Sequence, residues 1–150
     1  EHCRSSVGLV CELRRRCELP GTGLRFEGEP PIKITFSGDC RPSESLVRAG
    51  LGSSLLIHEA TFDDDMQEDA RNKRHSTTNE ALDVARRMCA EHVILTHFSQ
   101  RYPKLISRAS CNAVPYTNAV DFLHVAVPSQ LALLPSAMDL LVEAVCGEIS

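Results

Sequence analysis

Leu55-Leu56-Ile57-His58-Glu59-Ala60-Thr61 decides the fold. Three consecutive apolar residues suit a strand covered on both faces, as in a parallel sheet, and this one ends in an imidazole and a carboxylate. The same form recurs on either side. Upstream, Ile32 to Phe36 alternates apolar with polar residues and runs into Ser37-Gly38-Asp39; downstream, Val93-Ile94-Leu95 runs into Thr96-His97. The intervening stretches carry helix signals. Pro42 to Ala49, with Gly50 behind it, reads as a short helix with a glycine stop. Asp63-Asp64-Asp65 leads into a polar helix from Met66 to Lys73. Thr77 with Glu80 three residues on is a capping box, and Ala81, Leu82, Ala85, Met88 and Cys89 follow at helical spacing to about Ala90. Strands alternating with helices define an α/β protein. In such proteins sites gather beyond the carboxyl ends of the strands, which places Asp39, His58-Glu59 and His97 on one edge.

The flanks carry weaker signals. Val7 to Leu13 reads as one more strand. Arg14, Arg15 and Arg16, Pro20 to Gly23 and Gly28 to Pro31 read as a long connection rather than a tight hairpin. Leu123 to Val127 suggests a further strand and Pro135 to Val145 a terminal helix, with Pro135 in its first turn.

The composition narrows the function classes. The chain has 150 residues, 43% of them hydrophobic, enough for one buried core. It has no Trp and 5% aromatic residues, so the core rests on Leu, Val, Ile and Ala. A net charge of -4 argues against a simple nucleic-acid module, which is usually basic. It leaves phosphodiester chemistry open, because bound divalent metals would add positive charge where the phosphate sits. The 7 cysteines are odd in number, scattered and without a C-x-x-C pair, which fits a reducing compartment rather than a disulfide framework or a zinc knuckle. No apolar run approaches the roughly 20 residues of a membrane span. The chain opens on Glu1 and His2 rather than Met, and reads as processed or incomplete.

Taken singly, the polar residues carry little. Asp39 offers a hard oxygen ligand able to bridge two cations, yet taken alone an aspartate there reads first as the cap of the helix near Pro42. His97 at a strand end is more often an edge histidine than a ligand. His2 sits at the chain start, where order is least expected. Glu59 could orient an imidazole, His58 or His75, by accepting its ring N–H, leaving the other nitrogen to pass a proton to a leaving oxygen; a structural His–Glu hydrogen bond is as good a reading. Arg101 and Tyr102 could hold phosphate or simply pack. Ser5-Ser6 and Ser53-Ser54 lack a nucleophile elbow, which disfavours acyl-enzyme chemistry.

Together the strings are specific. Phe36-Ser37-Gly38-Asp39, Leu56-Ile57-His58-Glu59-Ala60-Thr61-Phe62, Arg74-His75-Ser76-Thr77-Thr78 and Thr96-His97-Phe98-Ser99-Gln100-Arg101-Tyr102 resemble ribonuclease Z, the tRNA 3′-processing endoribonuclease of the metallo-β-lactamase superfamily. Arg41-Pro42 to Gly50, together with Gln100, looks more like the long eukaryotic form. The resemblance is firm over residues 33–104. It implies that residues 1–150 are one partial domain, the carboxyl-terminal part of an αβ/βα sandwich. It implies that Asp39 bridges two zinc ions, that His97 and His2 are ligands of one ion each, and that Glu59 and His75 form a proton-shuttling pair with His75 protonating the departing 3′-oxygen. Arg101, by its guanidinium chemistry rather than by the resemblance, is the candidate contact for substrate phosphate. The substrate implied is precursor tRNA, the cofactor two Zn(2+) per complete site, and the location intracellular, in the nucleus or mitochondrion.

The departures are equally specific. The family's H-x-H-x-D-H motif is absent and would lie upstream of Glu1, in the remainder of the catalytic domain. Cys40 stands where a Thr is usual, and the 14–31 connection looks longer than the family's hairpin. The chain alone is therefore expected to bind zinc weakly and to cleave no precursor tRNA. A truncated, non-catalytic scaffold of the same fold is the alternative. An oligomer is open, since short-form relatives pair up while long forms carry both halves in one chain.

Overall fold

The computed structural model describes residues 7–13, 16–18, 25–27, 31–99, 114–120 and 123–125. Its elements in chain order are β1 (Leu9–Leu13), β2 (Arg16–Glu18), β3 (Arg25–Glu27), β4 (Ile32–Phe36), α1 (Glu44–Ala49), β5 (Leu55–Glu59), α2 (Gln67–Lys73), α3 (Thr78–Met88), β6 (Val93–Thr96) and β7 (Tyr116–Asn118). A five-stranded sheet runs in the order β1-β4-β5-β6-β7. β4, β5, β6 and β7 are parallel neighbours, and β1 is the antiparallel edge. The α/β class expected from the alternation is the one observed.

Register brings the site together. Phe36 pairs with Ile57, and Glu59 pairs with Thr96. Because the three central strands point the same way, their carboxyl ends, and the residues just beyond them, fall on one edge.

The core lies between the sheet and helices α1 and α3. Leu46, Val47, Leu56, Ala60, Ala81, Val84, Ala85, Met88, Val93 and Leu95 form one buried cluster. Each large aliphatic side chain buried this way contributes roughly 1.5–3 kcal/mol relative to exposure. α3 buries Ala81, Val84, Ala85 and Met88. Its capping box is complete: Thr77 accepts from the Glu80 N–H, and Glu80 accepts from the Thr77 N–H. The helix stops at Met88, with Cys89 exposed in the left-handed conformation at φ 55, so Cys89 is a cap rather than a core residue.

Gly50 does end α1, but not by adopting positive φ; its φ is -88. A Cβ there would lie 2.7 Å from Met88 Sδ and 2.7 Å from Thr35 Oγ1, so the glycine lets the loop pass beneath α3. The opposite face of the sheet is more open. Facing partners in β1 and β4 share a side of the sheet, and on that side Leu9 is 58%, Leu13 54% and Phe36 43% exposed.

Three expectations change. The 14–31 connection, read as long rather than as a tight hairpin, contains a two-stranded antiparallel ribbon, β2 with β3. β7 was not foreseen, because Tyr116-Thr117-Asn118 has no apolar run to mark it. In the suggested strand from Leu123 to Val127, residues 123–125 form no strand, and the remaining two lie outside the described residues, as does the helix from Pro135 to Val145. Among the described residues Cys11, Cys40 and Cys89 are free thiols, and no helix is long and apolar enough to cross a membrane.

Candidate metal and proton-transfer centre

Glu59 closes β5 at 1% exposure, and its carboxylate is enclosed by donors from three loops. Oε1 accepts from the Cys40 N–H at 2.8 Å and lies 2.9 Å from His75 Nδ1. Oε2 accepts from the Thr61 N–H at 3.2 Å, the Thr61 hydroxyl at 2.7 Å and the Ser76 N–H at 3.1 Å. Five donors on one buried carboxylate satisfy a charge that would otherwise be very costly to bury. Glu59, His75 and His97 together place ligand atoms within 4.8 Å of one another, and an ion taken by Glu59 would have to displace some of these five bonds.

The protons can be followed outward from Glu59. Facing a carboxylate, His75 Nδ1 carries a hydrogen, which turns Nε2 away from Glu59. The single Thr61 hydroxyl proton is committed to Glu59 Oε2. Thr61 Oγ1 is also 2.8 Å from His97 Nδ1, so the proton of that bond comes from the imidazole. With Nδ1 donating, the neutral tautomer of His97 that fits this bond presents Nε2 as its acceptor nitrogen, the arrangement in which an outer hydrogen bond orients a metal-binding histidine. The two imidazoles stack, ring centres 5.2 Å apart at 29°.

Asp39 lies beside His97, Oδ1 3.6 Å from His97 Nδ1, and both side chains are nearly half exposed. Its backbone approach is Gly38 at φ 60, the tight turn expected. The capping alternative for Asp39 fails: the N-cap of α1 is Ser43, whose side chain accepts from Leu46 N–H. His97 itself has φ 60. A left-handed histidine costs about 1–2 kcal/mol, and such strain is retained where surroundings over-determine it, often at functional sites. A hard carboxylate and an imidazole nitrogen at an accessible edge suit zinc, and they make two donors of the roughly four that each ion needs. Asp39 and His97 therefore fit part of a zinc site. His2 and Arg101 lie outside the described residues.

Three contributors escaped the sequence reading. Thr61 joins Glu59, His75 and His97 through one hydroxyl. Ser76 gives its N–H to Glu59 and its hydroxyl to the Cys40 carbonyl at 2.7 Å. Arg41 donates to the His75 carbonyl at 2.6 Å and grips Glu80. Thr61 and Ser76 adjoin the residues singled out, and that adjacency was the available signal. Arg41 showed none. His58, the alternative partner for Glu59, is buried on the helix side, where strand alternation places it with Leu56. Its Nδ1 donates to the Glu59 backbone carbonyl at 2.7 Å. Burial pushes the Cys40 thiol up to about 11, and the Glu59 charge adds to this.

A left-handed histidine, a buried glutamate and a half-exposed aspartate thus meet on one edge of a parallel sheet. The chain belongs to the beta-lactamase superfamily domain family, whose model matches residues 10–98. Within it, the chain is similar to ribonuclease Z. It is 45% identical over 103 residues to "Ribonuclease Z, mitochondrial" of Drosophila melanogaster, covering 69% of this chain and 12% of that protein. It is 53% identical over 109 residues to "Zinc phosphodiesterase ELAC protein 2" of Homo sapiens, 65% of this chain and 13% of that one. The crystal structure of a long form RNase Z from yeast superposes with a TM-score of 0.55 at 44% identity, over 61% of this chain and 13% of that one. Human tRNase Z, short form, gives 0.54 at 34% identity, over 69% and 37%. The chain thus spans about an eighth of the length of these curated relatives.

Proposed function

We propose that this chain supplies the proton-transfer pair and part of the metal site of a zinc endoribonuclease that removes the 3′ trailer from precursor tRNA. The observation that carries the reading is the 2.9 Å Glu59–His75 bond set against the Asp39–His97 pair. Asp39 and His97 would be zinc ligands, and zinc held there would place positive charge against the phosphate and activate the attacking water. Glu59, both of its oxygens engaged by donors, holds the His75 ring so that Nε2 faces the departing 3′-oxygen. Protonated on both nitrogens, His75 gives that oxygen the Nε2 proton and keeps the Nδ1 proton on Glu59. Thr61 keeps His97 in the ligating tautomer. His2 is proposed as a further ligand and Arg101 as a phosphate contact. The remaining ligands come from the H-x-H-x-D-H motif proposed upstream of Glu1, giving two ions per complete site. That missing layer would cover the open apolar face of the sheet. Residues 1–150 form one partial domain in this reading, and the relatives named mitochondrial support a mitochondrial location.

The test uses a labelled, 3′-extended precursor tRNA with zinc. The 150-residue chain alone is expected to leave the trailer in place. Added polypeptide carrying H-x-H-x-D-H should restore trailer removal. His75→Ala in the restored enzyme should lower cleavage by about 10²–10⁴, the usual contribution of a positioned acid. Efficient cleavage by the chain alone would overturn the shared site. A restored assembly that holds no zinc would favour the scaffold instead.

A further inference from the structure

Two loops carry the chemistry described above. Residues 37–43 hold Asp39 between β4 and α1, and residues 74–77 hold His75 between α2 and α3. Hydrogen bonds to Glu59 tether both from beneath. A second set of bonds ties them to each other at the surface, and Arg41 is at its centre.

Arg41 stands two residues beyond Asp39. Nη1 donates to the His75 carbonyl at 2.6 Å and to Glu80 Oε2 at 2.7 Å, while Nη2 donates to Glu80 Oε1. Glu80 is fixed in turn as the third residue of the α3 capping box, where Oε2 accepts the Thr77 N–H at 3.0 Å. The guanidinium and carboxylate are only 23% and 22% exposed, so water and salt screen the pair weakly compared with an open surface pair. Burial pushes the Glu80 carboxyl up, but the Arg41 fork and the Thr77 N–H more than offset it and hold the group below its ordinary value. The carboxylate that anchors Arg41 is therefore charged across the neutral range.

The His75 carbonyl lies just before the first turn of α3. Arg41 donates to it, so a side chain from the Asp39 loop holds the backbone of the residue bearing the proton-donor imidazole. Displacing that backbone by about 1 Å would carry the ring off Glu59 and out of its stack on His97, and catalytic geometry tolerates little more than that.

We propose that Arg41 is a positioning residue. It locks the metal-binding aspartate's loop to the proton donor's loop, so that His75 and Asp39 keep one fixed relative placement. The proposal rests on the reading of His75 as proton donor. Arg41 touches neither substrate nor metal in this role; it acts through His75.

The planar fork is what the geometry uses. Lysine offers a point charge that can reach one of the three acceptors but cannot bind Glu80 through two parallel bonds. Arg41→Lys should therefore restore only part of what Arg41→Gln removes.

The experiment is nitrogen-resolved NMR of the histidine rings in the 150-residue chain, following exchange of the His75 Nδ1 proton with solvent. In Arg41→Gln this exchange should accelerate about tenfold or more, the scale set by losing a charge-assisted hydrogen bond, with Arg41→Lys in between. Glu80→Gln, which keeps the side-chain shape but weakens the anchor, should accelerate it less. Thermal melting of each variant reports the fold separately. A folded Arg41→Gln with unchanged His75 exchange overturns the proposal. If Arg41→Gln does not fold, Glu80→Gln carries the test with the same criterion. Loss of fold in both also overturns it, since the contact would then hold the domain rather than aim His75. The functional reading fails differently: His75→Ala would leave cleavage by the restored enzyme unchanged, whatever the ring exchange shows.

Discussion

At the scale of single residues, Glu59 and His58 show how neighbours on one strand take opposite parts. Glu59 turns into the edge and collects five donors. His58 turns into the helix-covered core, where Nδ1 is bonded to the Glu59 carbonyl and Nε2 has no hydrogen-bond partner among the described residues. Burial lowers its pKa below the ordinary 6.5, partly opposed by that backbone bond and the Glu59 charge. The sign of the pH effect follows. As pH falls below about 6.5 the unfolded chain takes up a proton on His58 while the folded chain does not, so stability is lost until the lowered folded value is reached. Asparagine keeps an N–H for the Glu59 carbonyl and cannot titrate. Urea unfolding at pH 7 and pH 5 should thus show a smaller acid loss in His58→Asn than in the unaltered chain. Equal losses would assign the effect elsewhere. In the sequence the residues alone left open whether Glu59 orients a proton-transferring imidazole or makes a structural hydrogen bond, and only the resemblance pointed to His75 as its partner. Alternation along a strand sets His58 apart from Glu59 only once the buried face is known, and Leu56 revealed it.

At the scale of elements, the strands and helices that carry the site were legible for specific reasons. The alternation from Ile32 to Phe36 gives β4 its observed bounds, and Thr77 with Glu80 gives α3 its start. β5 extends two residues beyond its apolar run because His58 and Glu59 still pair with Leu95 and Thr96, which composition does not announce. β7 and the β2–β3 ribbon escaped because three-residue strands carry too little periodicity to stand out from a loop. Gly50 was read as a helix stop; the structure makes it a point of close approach. Gly50→Ala should therefore cost about 1–3 kcal/mol, as overpacking in a filled core does. Thr35 Oγ1, held at 2.7 Å by Ser53 Oγ, has nowhere to move, while the Met88 thioether can swing aside. Denaturant unfolding of Gly50→Ala with and without Met88→Leu checks this. The second change should recover part of the loss, and an unaltered midpoint in Gly50→Ala alone would refute it.

At the scale of the whole molecule, the function is legible only where parallel strands align their ends. Asp39, Glu59 and His97 are far apart in sequence, and β4-β5-β6 pairing puts them on one edge. The strings around them showed which family to compare; they did not show Thr61, Ser76 or Arg41 joining the loops, because those bonds exist only after the sheet has formed. One consequence concerns reagents rather than substrates. Cys40 is buried among these loops, its backbone N–H on Glu59 and its carbonyl accepting from Ser76, and its thiol stays protonated up to about 11. Alkylation needs the thiolate, so iodoacetamide near neutral pH should modify the exposed Cys11 and Cys89 readily and Cys40 far more slowly. Cys40 would react only when the Asp39 and His75 loops part together. Its labelling rate, read by peptide mass spectrometry, becomes a clock for that joint opening, and labelling as fast as at Cys11 would mean the loops open independently of the sheet.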